Sequence, residues 1–168
     1  MVNVVPDPRA VAETVTDPEL PMLTLADLGV LRDVTVSQNG TVVVTITPTY
    51  TGCPAMDAMR DDLHRALRAA GYRDVRVDTV LRPPWTTDWI SDTGRRKLAA
   101  AGIAPPGAAP ARSPGPVPLA LDAPTPRVVC PHCGAAETEL LSEFSATACK
   151  ALRRCPSCRE PFEHIKEI

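Results

Sequence analysis

Charge of one sign, long apolar runs and aromatic side chains are all scarce in this 168-residue sequence. Eighteen Lys and Arg stand against 20 Asp and Glu, a net charge of −2. With no basic field to attract a polyanion, nucleic acid is not expected as a partner. No apolar run approaches the ~20 residues of a membrane-spanning helix. The opening MVNVVPDPRA has neither the basic flank nor the apolar stretch of an export signal. The expectation is therefore a cytoplasmic protein with no membrane partner. Also missing are a dinucleotide fingerprint, a Glu-x-x-His pair of the di-iron kind and a nucleophile–base–acid triad, so an enzyme is not expected.

Proline and cysteine are what the sequence does have. Eight of its 19 prolines and six alanines crowd into APPGAAPARSPGPVPLALDAPTP, residues 104–126, which keeps no hydrophobic period. Such a stretch reads as an extended, semi-rigid linker. It divides the chain into a domain over residues 1–103, the linker 104–126, and a module over 127–168. In a reducing compartment the six cysteines are metal ligands or reactive thiols before they are disulfides.

In the leading domain, Asp7-Pro8 opens a short helix that ends at Asp17-Pro18-Glu19. Two alternating runs follow, one through Val34 and Val36 and one through Val42, Val44 and Ile46. Between them lies Asn39-Gly40, the pair that best tolerates a type I′ hairpin turn. From Pro54 to Ala70, Met56, Met59, Leu63, Leu67 and Ala70 form one stripe at helical spacing, closed by Gly71. Val75 and Val77 mark a third strand, and TTDWISDTGRRKLAAAGI a closing helix. The expected fold is α+β, a small mixed sheet with helices on one face.

Cys53 falls where the second strand gives way to the main helix, with Pro54 expected at the first helical position. At or near a helix N-terminus, exposed N–H groups and the helix dipole stabilise a thiolate. Two interpretations stand side by side: a reactive thiol edged by Thr49 and Thr51, or a small buried residue that ends a strand. His64 lies about three helical turns away, too far to act as its base, and is expected as a surface or partly packed helix residue.

The tail carries Cys130-x-x-Cys133 and Cys155-x-x-Cys158 with 21 residues between the pairs. Two such knuckles offer four thiolates to a tetrahedral metal, as in a zinc ribbon, and iron is an alternative occupant. So few residues can hardly bury a self-sufficient core, so metal binding would supply folding free energy. From Pro126 onward six Lys or Arg balance six Glu, which gives no support for duplex binding. Phe144 and Phe162 are expected to anchor the small core, while His132 and His164 are spare. Cys149, beside Lys150, Arg153 and Arg154, is a second lone thiol. It is either a small packed residue or, if the linker lets the ribbon fold back, a partner for Cys53.

The stretches DPELPMLTLADLGVLRDV and TPTYTGCPAM carry Asp17-Pro18-Glu19, Asp27-Leu28-Gly29 and a Thr/Pro-rich strand end leading into Cys53. They resemble the small iron–sulfur assembly factors that include SufT-like proteins and the eukaryotic cytosolic cluster-targeting factor. WTTDWISDTGRRKLAAAGIAPP and TACKALRRCPSCREPFEHIK extend the resemblance to the PaaD-like family, accessory proteins of bacterial phenylacetate degradation. The resemblance implies that Cys53 handles a transient iron–sulfur cluster, with Asp27 at the family's acidic position. The implied role is maturation of the phenylacetyl-CoA epoxidase system, on its [2Fe–2S] reductase component or the whole complex. A homodimer sharing a cluster between two copies of Cys53 is one arrangement it allows. The competing expectation is a non-catalytic structural subunit or adaptor of the oxygenase complex.

Overall fold

A computed structural model describes residues 5–109 and 126–168. The chain divides into two compact units, Met1–Lys97 and Leu98–Ile168. Most of the expected linker, residues 110–125, lies outside the described residues.

In the first unit α1 (Pro8–Ala12) starts where the Asp7 carboxylate accepts the Ala10 N–H and Pro8 fills the first turn. Strands β1 (Leu31–Val36) and β2 (Val42–Ile46) pair antiparallel, and β2 pairs in parallel with β3 (Val75–Thr79) after crossing through α2 (Met56–Ala69). The sheet is mixed, in the order β1-β2-β3. The core follows the alternation in β2 and the stripe of α2, but not at Val36, which is 54% exposed at the end of β1. Val42, Val44 and Ile46 of β2 and Met56, Met59, Leu63 and Leu67 of α2 are all buried. Helix α2 ends as its stripe predicts. Tyr72 N–H reaches back to the Leu67 carbonyl and Gly71 takes φ +107°, a glycine-terminated helix end.

The hairpin is present, but its turn is not type I′. Only Gly40 has positive φ (+85°), Gly40 N–H bonds the Ser37 carbonyl and Ser37 N–H bonds the Thr41 carbonyl. This is the three-residue form, a type I turn closed by a left-handed glycine. One extra residue on β1, Arg32, bulges the ladder between Leu31 and Asp33, and its guanidinium lies 3.5 Å over the Trp89 ring.

Between α1 and β1 the chain forms no regular element, yet Leu20, Leu23, Leu25, Leu28 and Val30 are all buried. Turns satisfy its backbone: Leu23 N–H to Leu20, Leu28 N–H to Thr24 and Gly29 N–H to Ala26. The segment Trp85–Lys97, a 3-10 turn (Thr87–Trp89) and the first turns of α3 (Asp92–Ala100), closes over it. The Trp85 indole N–H donates to the Leu28 carbonyl at 2.9 Å. Gly29 is required here twice over. Its φ is +69°, and a Cβ would stand 2.5 Å from the Trp89 Cβ.

The second unit holds a sheet in the order β4 (Glu139–Ser142), β5 (Lys150–Arg154), β6 (Pro161–Ile165), antiparallel throughout. Ala104 adds a parallel bridge at the β6 edge, its N–H on the Glu163 carbonyl and its carbonyl receiving the Ile165 N–H. Phe162 is buried, as expected of a core anchor, but Phe144 is 64% exposed. It follows an edge strand whose residues are exposed or half-buried, and its ring carries the Lys166 ammonium at 4.3 Å.

The two kinds of left-handed glycine should behave differently. Gly29→Ala meets both strain and a backbone clash, so it should destabilise the first unit by more than about 2 kcal/mol. Gly40→Ala, with open space around it, should cost only about 1 kcal/mol. Urea unfolding followed by the fluorescence of Trp85 and Trp89, both in the first unit, separates the two values.

Candidate metal centre

The four spaced cysteines converge. The sulfurs of Cys130, Cys133, Cys155 and Cys158 all lie within 4.8 Å of one another. Across the knuckles, Cys130 and Cys158 are 3.8 Å apart and Cys133 and Cys155 3.5 Å. A tetrahedron of zinc–sulfur bonds of about 2.3 Å has edges of about 3.8 Å, so the thiols fit a single metal ion. Cys130 and Cys155 are buried, Cys158 is half-buried and Cys133 is exposed.

The two knuckles are built alike. In the first, Cys130 N–H bonds the Ala135 carbonyl and Gly134 N–H bonds the Cys130 carbonyl; in the second, Cys155 N–H bonds Glu160 and Arg159 N–H bonds Cys155. Both need a left-handed residue four positions after the first cysteine. Gly134 meets this at φ +76° and Arg159 at φ +67°. Gly134 was legible from sequence. Arg159 was not, because a non-glycine residue in that conformation is visible only by superposing one knuckle on the other.

The same backbone sets the thiols' acidity. A backbone hydrogen bond with Cys158 chiefly draws Cys155 down to about 6, against its burial. Cys158 has a backbone hydrogen bond with Glu160 that pulls the same way. Burial and the sulfurs of Cys155, Cys133 and Cys130 outweigh it and push Cys158 up to about 12. Without metal, Cys155 is the thiol that ionises most readily, while Cys133 and Cys158 resist ionisation.

The spare histidines stay outside the sulfur cluster. His132 is exposed and meets the Phe162 ring edge-on at 6.4 Å. His164 is 2% exposed. Burial lowers its pKa, and its Nε2 lies 3.4 Å from the Glu167 carboxylate. Cys149 precedes β5 and is half-buried, its sulfur 3.1 Å from the Thr147 hydroxyl. The cations expected around it are engaged elsewhere. Lys150 pairs with Glu163 at 2.8 Å, Arg153 bonds Thr138, and Arg154 pairs with Glu139 at 2.7 Å.

Cys53 and Asp27 belong to the first unit. Cys53 is half-buried and forms no disulfide. It lies between two turns. Its N–H bonds the Tyr50 carbonyl across Gly52, which has φ +88°, and its carbonyl receives the Met56 N–H. Pro54 is not the first helical residue; α2 starts at Met56 with Ala55 as its cap, so Cys53 stands just ahead of the helix. Thr47, two residues before Thr49, is buried with a hydroxyl that finds no hydrogen-bond partner among the described residues. His64 is partly packed on α2.

Asp27 is held on both oxygens by its own unit. One accepts the Thr24 N–H at 3.1 Å and the Lys97 ammonium at 2.6 Å, and the other the Ser91 hydroxyl at 3.3 Å. Thr24 in turn accepts the Asp27 N–H, and a Cβ on Gly94 would stand 2.8 Å from the Asp27 carbonyl. Burial pushes the carboxyl up, but the Lys97 and Thr24 hydrogen bonds and the Lys97 charge outweigh it and hold Asp27 below the usual range. The partners missed from sequence, Ser91 and Lys97, stand 64 and 70 residues away.

Residues 114–166 match the family described as PaaD zinc beta ribbon domain, and residues 9–79 the one described as Iron-sulfur cluster assembly protein. The chain is 42% identical over 159 residues to a putative 1,2-phenylacetyl-CoA epoxidase subunit of Escherichia coli (strain K12), an alignment that covers 95% of this chain and 90% of that one. It is 35% identical over 86 residues to an Fe-S protein maturation auxiliary factor of Porphyromonas gingivalis, covering 51% of this chain and 81% of the relative. The crystal structure of a domain of unknown function, DUF59, from Bacillus anthracis superposes with a TM-score of 0.50 at 31% identity, over 54% of this chain and 87% of that one. No helix among the described residues is long and apolar enough to cross a membrane.

Two measurements test this geometry. Zinc binding must displace protons from several thiols, so affinity should fall roughly a hundredfold or more per pH unit on acidification, read by competition with a chelator at pH 6, 7 and 8. Asp27 has a lowered folded-state pKa, so its stabilisation is present above the unfolded value of 3.8 and is lost as pH falls through the folded one. Asp27→Asn should therefore cost about 1–2 kcal/mol at pH 7 and almost nothing at the acid end of a urea-unfolding series.

Proposed function

The chain belongs to the PaaD family, and from that premise we propose that it is an accessory factor of aerobic phenylacetate degradation that handles iron–sulfur clusters and catalyses no step itself. Its client is the [2Fe–2S] reductase component of the epoxidase system. The observation that carries this proposal is the placement of Cys53. Its half-buried sulfur stands on a two-turn loop just ahead of α2, within the span that matches the cluster-assembly family. The cluster is cargo. A site with few protein thiolates suits transfer, because a donor must release what it binds. The other thiolates come from the client, from Cys149 or from Cys53 of a second copy.

Zinc, in this proposal, is resident and structural. Cys130, Cys133, Cys155 and Cys158 hold it, and it folds the ribbon. Asp27 acts indirectly, by fixing the loop that precedes β1 to the closing segment. The protein works in the cytoplasm.

A structural component of the oxygenase complex is the second interpretation, favoured by the E. coli relative being named as part of the epoxidase. The two differ at one atom, the Cys53 sulfur. Cys53→Ser should keep zinc near one per chain and an unchanged tryptophan signal, yet lose the iron and sulfide acquired on anaerobic reconstitution. Reductase produced with it as the sole copy should be largely cluster-free. A fully loaded reductase would sink the cluster-handling proposal, and co-purification in fixed ratio, insensitive to the serine change, would install the structural one.

A further inference from the structure

The two edges of the ribbon sheet are treated differently. At β6 the chain covers its own edge through the Ala104 bridge. At the other edge β4 has, among the described residues, no strand neighbour but β5. Every residue of β4 is exposed or intermediate. Leu140 is 38% exposed, Leu141 49% and the following Phe144 64%. The ladder slips between Leu140 and Ser142, so Leu141 is the extra residue of a bulge.

A bulge and charged neighbours commonly blunt an edge against association. Here, however, the bulged residue is an exposed leucine. We propose that the β4 edge is a docking site for an extended protein segment with alternating apolar and basic side chains, which adds to the sheet as a fourth strand.

Charge selects this occupant. The strand and its flanks carry Glu137, Glu139 and Glu143, with no Lys or Arg between Arg127 and Lys150. Glu139 is paired with Arg154 of β5, so Glu137 and Glu143 are the charges an incoming strand would meet. Antiparallel pairing with a second copy centred on Leu140 would set Glu137 against Glu143. Like charges directly opposite destabilise a ladder. The chain's own residues 110–125 include Pro110, Pro114, Pro116, Pro118 and Pro124, which have no N–H to give. Lysines or arginines on an incoming strand would instead meet Glu137 and Glu143, while its apolar residues cover Leu140 and Leu141.

The test uses the zinc-loaded full chain and a fluorescein-labelled peptide, acetyl-Lys-Val-Lys-Val-Thr-Val-Lys-amide, titrated by anisotropy and mapped by amide exchange. The proposal expects binding, slowed exchange confined to β4, and affinity lower by about tenfold or more when glutamate replaces lysine in the peptide. Methylating alternate peptide nitrogens should abolish binding, since the ladder is lost. Leu141→Lys should weaken binding by a similar factor with zinc content unchanged; if that variant loses zinc, Leu141→Thr replaces it. Equal affinity for the lysine, glutamate and methylated peptides would overturn the proposal. Protection of β4 that rises with protein concentration alone would assign the edge to a second copy. Binding that appears only after deletion of residues 110–125 would assign it to the chain's own segment.

Discussion

Sulfur is the centre of the smaller unit in both senses. Its buried cluster comprises Ala104, Val128, Cys130, Cys155 and Phe162, so two of the five are members of the thiol tetrad. Core and coordination site share Cys130 and Cys155. Three short strands with so little apolar mass cannot offset the entropy of ordering them. The four sulfurs at coordination distance suit a single metal ion, and a metal bound there would add to folding free energy. The rest of the unit is arranged around that centre. Lys150, only 5% exposed, is tied to Glu163, and Arg153, 3% exposed, is tied to Thr138.

The larger unit is stabilised differently, and this bears on what each half does. It has an ordinary apolar core between the sheet and α2, and its least regular segment, Leu20–Val30, is among its most buried. Such a segment needs its polar groups satisfied, and the Asp27 carboxylate, with Thr24, Ser91 and Lys97 around it, is where this is concentrated. One unit therefore gathers four cysteines at one point, and the other carries a single half-buried cysteine on a loop ahead of its main helix.

What the sequence made legible follows from how local each signal is. Period-2 alternation located β1, β2 and β3, and the Met56-Met59-Leu63-Leu67 stripe located α2, because each pattern is complete within one element. The cysteine pairs declared the tetrad because a two-residue spacer is itself the knuckle. The type of turn at Gly40 was misjudged because a single residue decides between the two- and three-residue forms. Leu20–Val30 has no period, and its conformation is dictated by Trp85, Ser91 and Lys97 far along the chain. Phe144 looked like a core residue because aromatic character marks burial only when another layer exists to supply it, and among the described residues none lies over β4. For Cys53, the sequence identified the position but not the offset from the helix, which depends on where the Tyr50–Cys53 turn releases the chain.

The distribution of chromophores has a consequence of its own. Trp85 and Trp89, the only tryptophans in the sequence, both lie in the first unit, and the four converging thiols lie in the second. Ultraviolet emission therefore belongs to one half of the molecule. Cobalt in place of zinc would give the other half visible absorption bands from tetrahedral thiolate coordination. The two halves carry separate colours, and events in each are distinguishable in a single undivided chain.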